Sequence, residues 1–145
     1  MNILVAIDLS PASAKVTEAA RGVANLTGAT VYVLHVAEPE PDFVGYDAGP
    51  AVVRTQVAED LHREHRAVQA FAKELREDGI DATALLIRGP TVKTTLKEAE
   101  SLDAGMIIVG SHGHGMVYDV LVGSYSAGII RKSRIPVLVV PVKDS

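Results

Sequence analysis

Five short aliphatic runs, at residues 3–7, 30–36, 82–87, 106–109 and 137–142, alternate along this 145-residue chain with stretches of helical periodicity. The runs are continuous in Val, Ile and Leu, as in strands covered on both faces, and they are too short to be buried helices. Between them, residues 13–27 place Val16, Ala19, Ala20, Val23 and Leu26 at helical spacing, and residues 51–78 repeat Val53, Val57, Leu61, Val68, Phe71 and Leu75. Residues 91–102 and 124–133 supply a third and a fourth helix. The order β-α-β-α-β-α-β-α-β predicts a parallel sheet with helices on both faces and right-handed crossovers. The punctuation agrees. Ser10-Pro11 opens the first helix, Gly28 and Gly79 close the first two, and Gly89-Pro90 introduces the third. With neither a linker nor an internal repeat, residues 1–145 are expected to form one domain. Residues 38–50, with Pro39, Pro41, Gly45, Gly49 and Pro50, are expected to form an exposed loop, either mobile or covering a site.

Composition narrows the function. Apolar residues make up 48% and the net charge is −4, which argues for a packed core, and no apolar run approaches the roughly 18–20 residues of a membrane helix. There is no cysteine, so disulfides, thiolate nucleophiles and sulfur-ligated metals are excluded. The start through Asn2 to Asp8 lacks the features of a signal peptide, and a cytoplasmic location is expected. Residues 38–78 hold ten acidic and five basic side chains, whereas residues 105–134 hold one acidic and three basic. Neither nucleic acid nor membrane is an expected partner, because a polyanion needs clustered Lys and Arg. A small anion held locally is compatible with this balance.

Six of the twelve glycines lie between Gly105 and Gly128. A buried strand ends at Gly110, a glycine-rich turn follows, and a helix is entered through Gly123 and Ser124. Helix N-termini carry unpaired N–H groups and partial positive charge, and glycines there let a phosphate approach the backbone. Ser124 and Ser126 would add hydroxyl donors. The loop alone is equally consistent with tight turns and a Ser124 cap. Tyr118 stands where a dinucleotide fingerprint begun at Gly113 would need glycine, and no Gly-Lys-Ser or Gly-Lys-Thr occurs.

The spacing Gly110-x2-Gly113-x9-Gly123-Ser124 resembles the nucleotide-binding pattern of the universal stress protein family. The words Ile107-Ile-Val-Gly-Ser-His-Gly113, Ile135-Pro-Val-Leu-Val-Val-Pro141, Ile3-Leu-Val-Ala-Ile-Asp8 and Val33-Leu-His-Val36 extend the likeness over the whole chain. The resemblance implies a Rossmann-like, five-stranded sheet in the order 3-2-1-4-5. In that order the ends of the first and fourth strands, at Asp8 and Gly110, frame a crevice of the kind in which open α/β sheets bind ligands. It further implies an adenine nucleotide, ATP or AMP, as ligand. Asp8 would bind the ribose hydroxyls or adenine edge and Val36 would offer backbone groups to the base. Ala6, Ile7 and Val109 would line base and sugar. Gly110, His112 and Gly113 would follow sugar and phosphates, and Gly123, Ser124, Tyr125 and Ser126 would hold the phosphates. Mg²⁺ would be carried mainly by phosphate oxygens and water. A homodimer through the last strand, from Val137 to Val142, is also implied, in keeping with the tendency of apolar sheet edges to pair, and an unknown protein partner is compatible with a signalling role.

Each residue also has a structural role to weigh. Asp8 suits a cap on the turn after its strand, and His112-Gly-His114 is too sparse for a metal site. His35 is expected to be a satisfied core histidine, and His62 and His65 to lie on a solvated helix face. Tyr118 and Asp119 depart from the family pattern where an arginine is common, which leaves the number of phosphates open and keeps AMP or a cyclic nucleotide among the ligands. No nucleophile–base pair stands out, and Asp8 suits sugar recognition better than general-base work. The leading expectation is therefore a nucleotide-binding stress-response or signalling module. The alternatives are a nucleotide-independent dimeric interaction protein and a slow ATP hydrolase or phosphotransferase.

Overall fold

The computed structural model describes residues 1–38, 50–112 and 122–142. Its elements run β1 (Asn2–Ala6), α1 (Ser13–Thr27), β2 (Thr30–Ala37), α2 (Pro50–Glu77), β3 (Ala82–Arg88), α3 (Thr91–Ser101), β4 (Ala104–Gly110), α4 (Ser124–Lys132) and β5 (Val137–Val140). The strands form one parallel sheet in the order β3-β2-β1-β4-β5, as the resemblance implied. Of the expected loop over residues 38–50, residues 39–49 lie outside the described set, and Pro50 is the first residue of α2. Proline suits a first helical turn, where its missing N–H has no acceptor to lose.

Alternation along each strand sorts the core into two layers. On one face Ile3, Val5, Val31, Val33 and Ile108 pack with Val16 and Ala20 of α1 and Val68, Ala72 and Leu75 of α2. On the other, Leu4, Ala6, Leu34, Ile107 and Val109 pack with Ala99 of α3 and Ile129 of α4. Both faces are covered, which is why the runs read as unbroken aliphatic sequence. Gly28 ends α1 in the left-handed region at φ 72°, its N–H donating to Ala24 O at 2.8 Å.

Two expectations about the elements need correcting. Leu26 is 89% exposed, because it lies in the last turn of α1, off the stripe through Val16, Ala20 and Ala24 that meets the sheet. The last strand stops at Val140 rather than Val142, since Pro141 has no N–H to continue the ladder. Val142 is instead buried, and its N–H donates to Ser111 Oγ at 3.2 Å.

Candidate functional site

Because every strand points the same way, the turns from strand to helix gather at one end of the sheet. β1 and β4 are neighbours there, and their following chains leave toward opposite faces, α1 to one and α4 to the other. Between them opens a crevice of about 300 Å³.

Its first wall is the end of β1. Ile7 remains in the ladder, its N–H donating to Leu34 O at 2.9 Å. At Asp8, Oδ1 accepts the Ser10 N–H at 2.9 Å and the Ser13 hydroxyl at 3.5 Å. This short-range turn carries Leu9 at φ 63°, a left-handed conformation that costs a leucine about 1 kcal/mol. The carboxylate thus performs the turn-fixing role allowed by the sequence and also lines the crevice.

The second wall joins β4, β5 and α4. Ser111 N–H donates to Val140 O at 2.8 Å, and Gly123 N–H donates to Ser111 O at 2.7 Å. The start of α4 is therefore tied to the end of β4 whatever lies between them in the chain. Gly123 is the N-cap, in extended conformation, and as a glycine it brings no side-chain cap of its own. The first intrahelical bond is Ala127 N–H to Gly123 O, at 2.9 Å. Helix geometry leaves the N–H groups of Ser124, Tyr125 and Ser126 without intrahelical acceptors at the edge of the crevice. That end carries the positive pole of the α4 dipole, while Arg131 and Lys132 occupy the last turn.

Three hydroxyls begin this helix and meet three different fates. Ser124 is exposed as the first helical residue, not the cap. Ser126 is buried and its hydroxyl donates to Gly110 O, so of its two donors only the backbone N–H is left for a ligand. This corrects the expectation of a Ser126 hydroxyl donor. The Tyr125 hydroxyl lies 2.6 Å from Thr95 Oγ1. Thr95 itself donates to Thr91 O at 2.8 Å, so the phenol donates to Thr95. Burial, with the negative charge of Asp8 acting in the same direction, pushes the Tyr125 phenol up to about 12.

The floor is Gly110. A Cβ there would lie 3.1 Å from Val16 Cγ2, 3.2 Å from Val142 Cγ1 and 3.3 Å from His112 O, closer than a side chain is comfortably held. A side chain at this position would have to push these neighbours back by a few tenths of an ångström.

Of the twelve residues singled out from the sequence, Ala6, Ile7, Asp8, Val36, Gly110, His112, Gly123, Ser124, Tyr125 and Ser126 line the crevice. Val109 does not line it; its side chain is fully buried among the α3 and α4 contacts. Gly113 lies outside the described residues, as do His114, Tyr118 and Asp119. His112 is buried, with Nδ1 3.0 Å from Ser111 Oγ.

The sequence reasoning missed Ala12, Ser13, Val16, His35, Glu38 and Thr91, which also border the crevice. Ser13 and Thr91 open α1 and α3 beside Ser10-Pro11 and Gly89-Pro90, so the helix-start signals marked these positions. His35 has the partner expected of a core histidine, Nδ1 lying 3.0 Å from Ile7 O, with Nε2 3.7 Å from Glu64 Oε2. It is nonetheless on the crevice wall. His62 and His65 are exposed on α2. Among the described residues no group of three or more His, Asp or Glu is placed to hold a metal, and no helix is long and apolar enough to cross a membrane.

The model of the universal stress protein family matches residues 1–141. Universal stress protein A homolog 1 of Coxiella burnetii is 33% identical over 144 residues, covering 99% of this chain and 97% of its own. A universal stress protein of Archaeoglobus fulgidus, solved in complex with dAMP, superposes with a TM-score of 0.65 at 20% identity, covering 97% of both chains. A further universal stress protein structure, solved in complex with cAMP, gives a TM-score of 0.69 at 18% identity, covering 99% of this chain and 98% of its own. With the sheet order, the Asp8–Gly110 crevice and these matches taken together, the chain belongs to the universal stress protein family.

Proposed function

We propose that the crevice binds an adenine nucleotide, ATP or a monophosphate, and that the chain serves as a nucleotide-binding module in stress response or signalling. One observation carries this: an acidic side chain at the end of β1 and a helix N-terminus entered through glycine after β4 face the same 300 Å³ space. The two halves suit the two ends of a nucleotide. Asp8 accepts hydrogen bonds from sugar hydroxyls, and the N–H groups of Ser124, Tyr125 and Ser126 donate to phosphate oxygens. Ala6, Ile7 and Val36 offer an aliphatic surface and backbone groups to a purine. The volume falls at the lower end of small-molecule pockets, about 300–1,000 Å³. The relatives solved with dAMP and cAMP support the adenine class.

Mg²⁺ would enter with a polyphosphate, held by its oxygens and water, since the described residues gather no metal-ligating cluster. Bound nucleotide would draw α4, the β4 end and Asp8 onto one ligand. That stabilises the state a partner recognises, provided the two states differ in affinity for it. We further propose a homodimer through β5, which pairs with β4 on one side only and whose four residues are all half-buried.

The test is calorimetric titration with ATP and AMP. Asp8→Ala removes a charged acceptor worth about 1.5–3 kcal/mol, a roughly tenfold to hundredfold loss of affinity. Gly123→Val obstructs the helix entry and should weaken binding as well. Unchanged affinity in both variants would refute the site.

A further inference from the structure

On the outer side of α3 and α4 lies a second concavity, of about 350 Å³, bordered by Val92, Lys93, Leu96, Lys97, Glu100 and Lys132. It shares no lining residue with the crevice. The two helices meet closely at Gly128, where a Cβ would lie 2.9 Å from Val92 Cγ2. Val92 and Leu96, one turn apart on α3, are half-buried and give the concavity an apolar floor. Lys93, Lys97 and Lys132 are exposed around it. Among the described residues none of these three lysines makes an ion pair, whereas Arg21, Arg63 and Lys73 all pair with carboxylates. Glu100 is the one acidic residue in the lining.

An acidic protein thus keeps a net positive excess, three lysines to one glutamate, around two apolar side chains set at i and i+4. That pattern is complementary to an amphipathic helix with apolar residues on one stripe and carboxylates flanking it. A nucleic acid strand fits less well, because its sugar-phosphate backbone has no use for the aliphatic floor of Val92 and Leu96. We propose that this groove docks an acidic amphipathic helical segment of a partner protein, its apolar stripe on Val92 and Leu96 and its carboxylates against Lys93, Lys97 and Lys132.

The test uses the full chain, isotopically labelled for amide NMR. The probe is a short synthetic helical peptide with leucines at i and i+4 and glutamates flanking them. Saturable shifts are expected at residues 92–100 and at Lys132, with binding that weakens as salt is raised. The double variant Lys93→Glu/Lys97→Glu changes only exposed side chains, so its spectrum should stay folded while the affinity falls about tenfold. Absence of saturable groove shifts would overturn the proposal. So would equal binding by a peptide with glutamine in place of glutamate, equal binding by the double variant, or tighter groove binding by a single-stranded oligonucleotide.

Discussion

Tyr125 ties the candidate site to the stability of the fold, and the tie has a measurable pH signature. Its phenol is pushed from 10.0 up to about 12, first by burial, then by Asp8 acting in the same direction. The Thr95 hydroxyl opposes this, since it can turn from Thr91 O and donate to a phenolate. A group whose folded value is raised contributes stability that is fully present below its unfolded value and is lost as pH climbs through the folded one. The window is therefore pH 10 to about 12. At about 1.4 kcal/mol per unit, the loss across it is about 2–3 kcal/mol. Tyr125→Phe removes that loss and also removes the hydrogen bond to Thr95, worth about 0.5–1.5 kcal/mol. The variant should be the less stable protein near neutrality and the more stable one at the top of the window. Urea unfolding midpoints of both proteins, measured along a pH series, test this. Every other side chain is common to both proteins, so the difference curve isolates Tyr125. A difference that stays constant from neutrality to about pH 12 would refute the buried phenol of α4 hydrogen-bonded to Thr95 of α3.

Other perturbations test the packing behind the site. Gly110→Ala sets a methyl against Val16, Val142 and His112 O, and should destabilise by about 1–3 kcal/mol in chemical denaturation, whereas an unchanged midpoint would mean that the crevice floor is looser than described. Gly128→Ala gains about 1 kcal/mol of helix propensity but crowds Val92, so it should show little net gain alone and a clear gain in a Val92→Ala background. The same effect in both backgrounds would contradict the contact. Pairing through β5 predicts a dimeric mass by light scattering at micromolar concentration, falling toward the monomer in Val139→Lys, where a charge is placed on the strand; a monomeric wild type would contradict it.

The sheet was readable because parallel strands buried on both faces need aliphatic side chains at every position, which Ile3 to Ala6 and Ile107 to Val109 supply. Asp8, Gly110 and Gly123 were readable for a different reason. Taken alone, a strand-end carboxylate and a glycine-rich turn are equally consistent with capping and tight turns; it was the resemblance to the universal stress protein pattern, with the strand order it implies, that brought them together at one crevice. Ser126 shows the limit of such signals. A serine in the first turn after a glycine resembles a phosphate donor, and only the folded backbone reveals that its hydroxyl is spent on Gly110 O. Thr95 and His35 escaped notice as neighbours of the site because their partners, Tyr125 and Ile7, lie 30 and 28 residues away. The family resemblance implied that Val109 lines base and sugar, but side chains alternate along a strand and this one turns into the core.

The most direct test of the central claim is a titration of the labelled protein with AMP and ATP, followed amide by amide. Saturable shifts should centre on Ile7, Asp8, Gly110 and the residues from Gly123 to Ser126, and Asp8→Ala should diminish them. No saturable response at millimolar nucleotide, or shifts centred away from the crevice, would contradict the account.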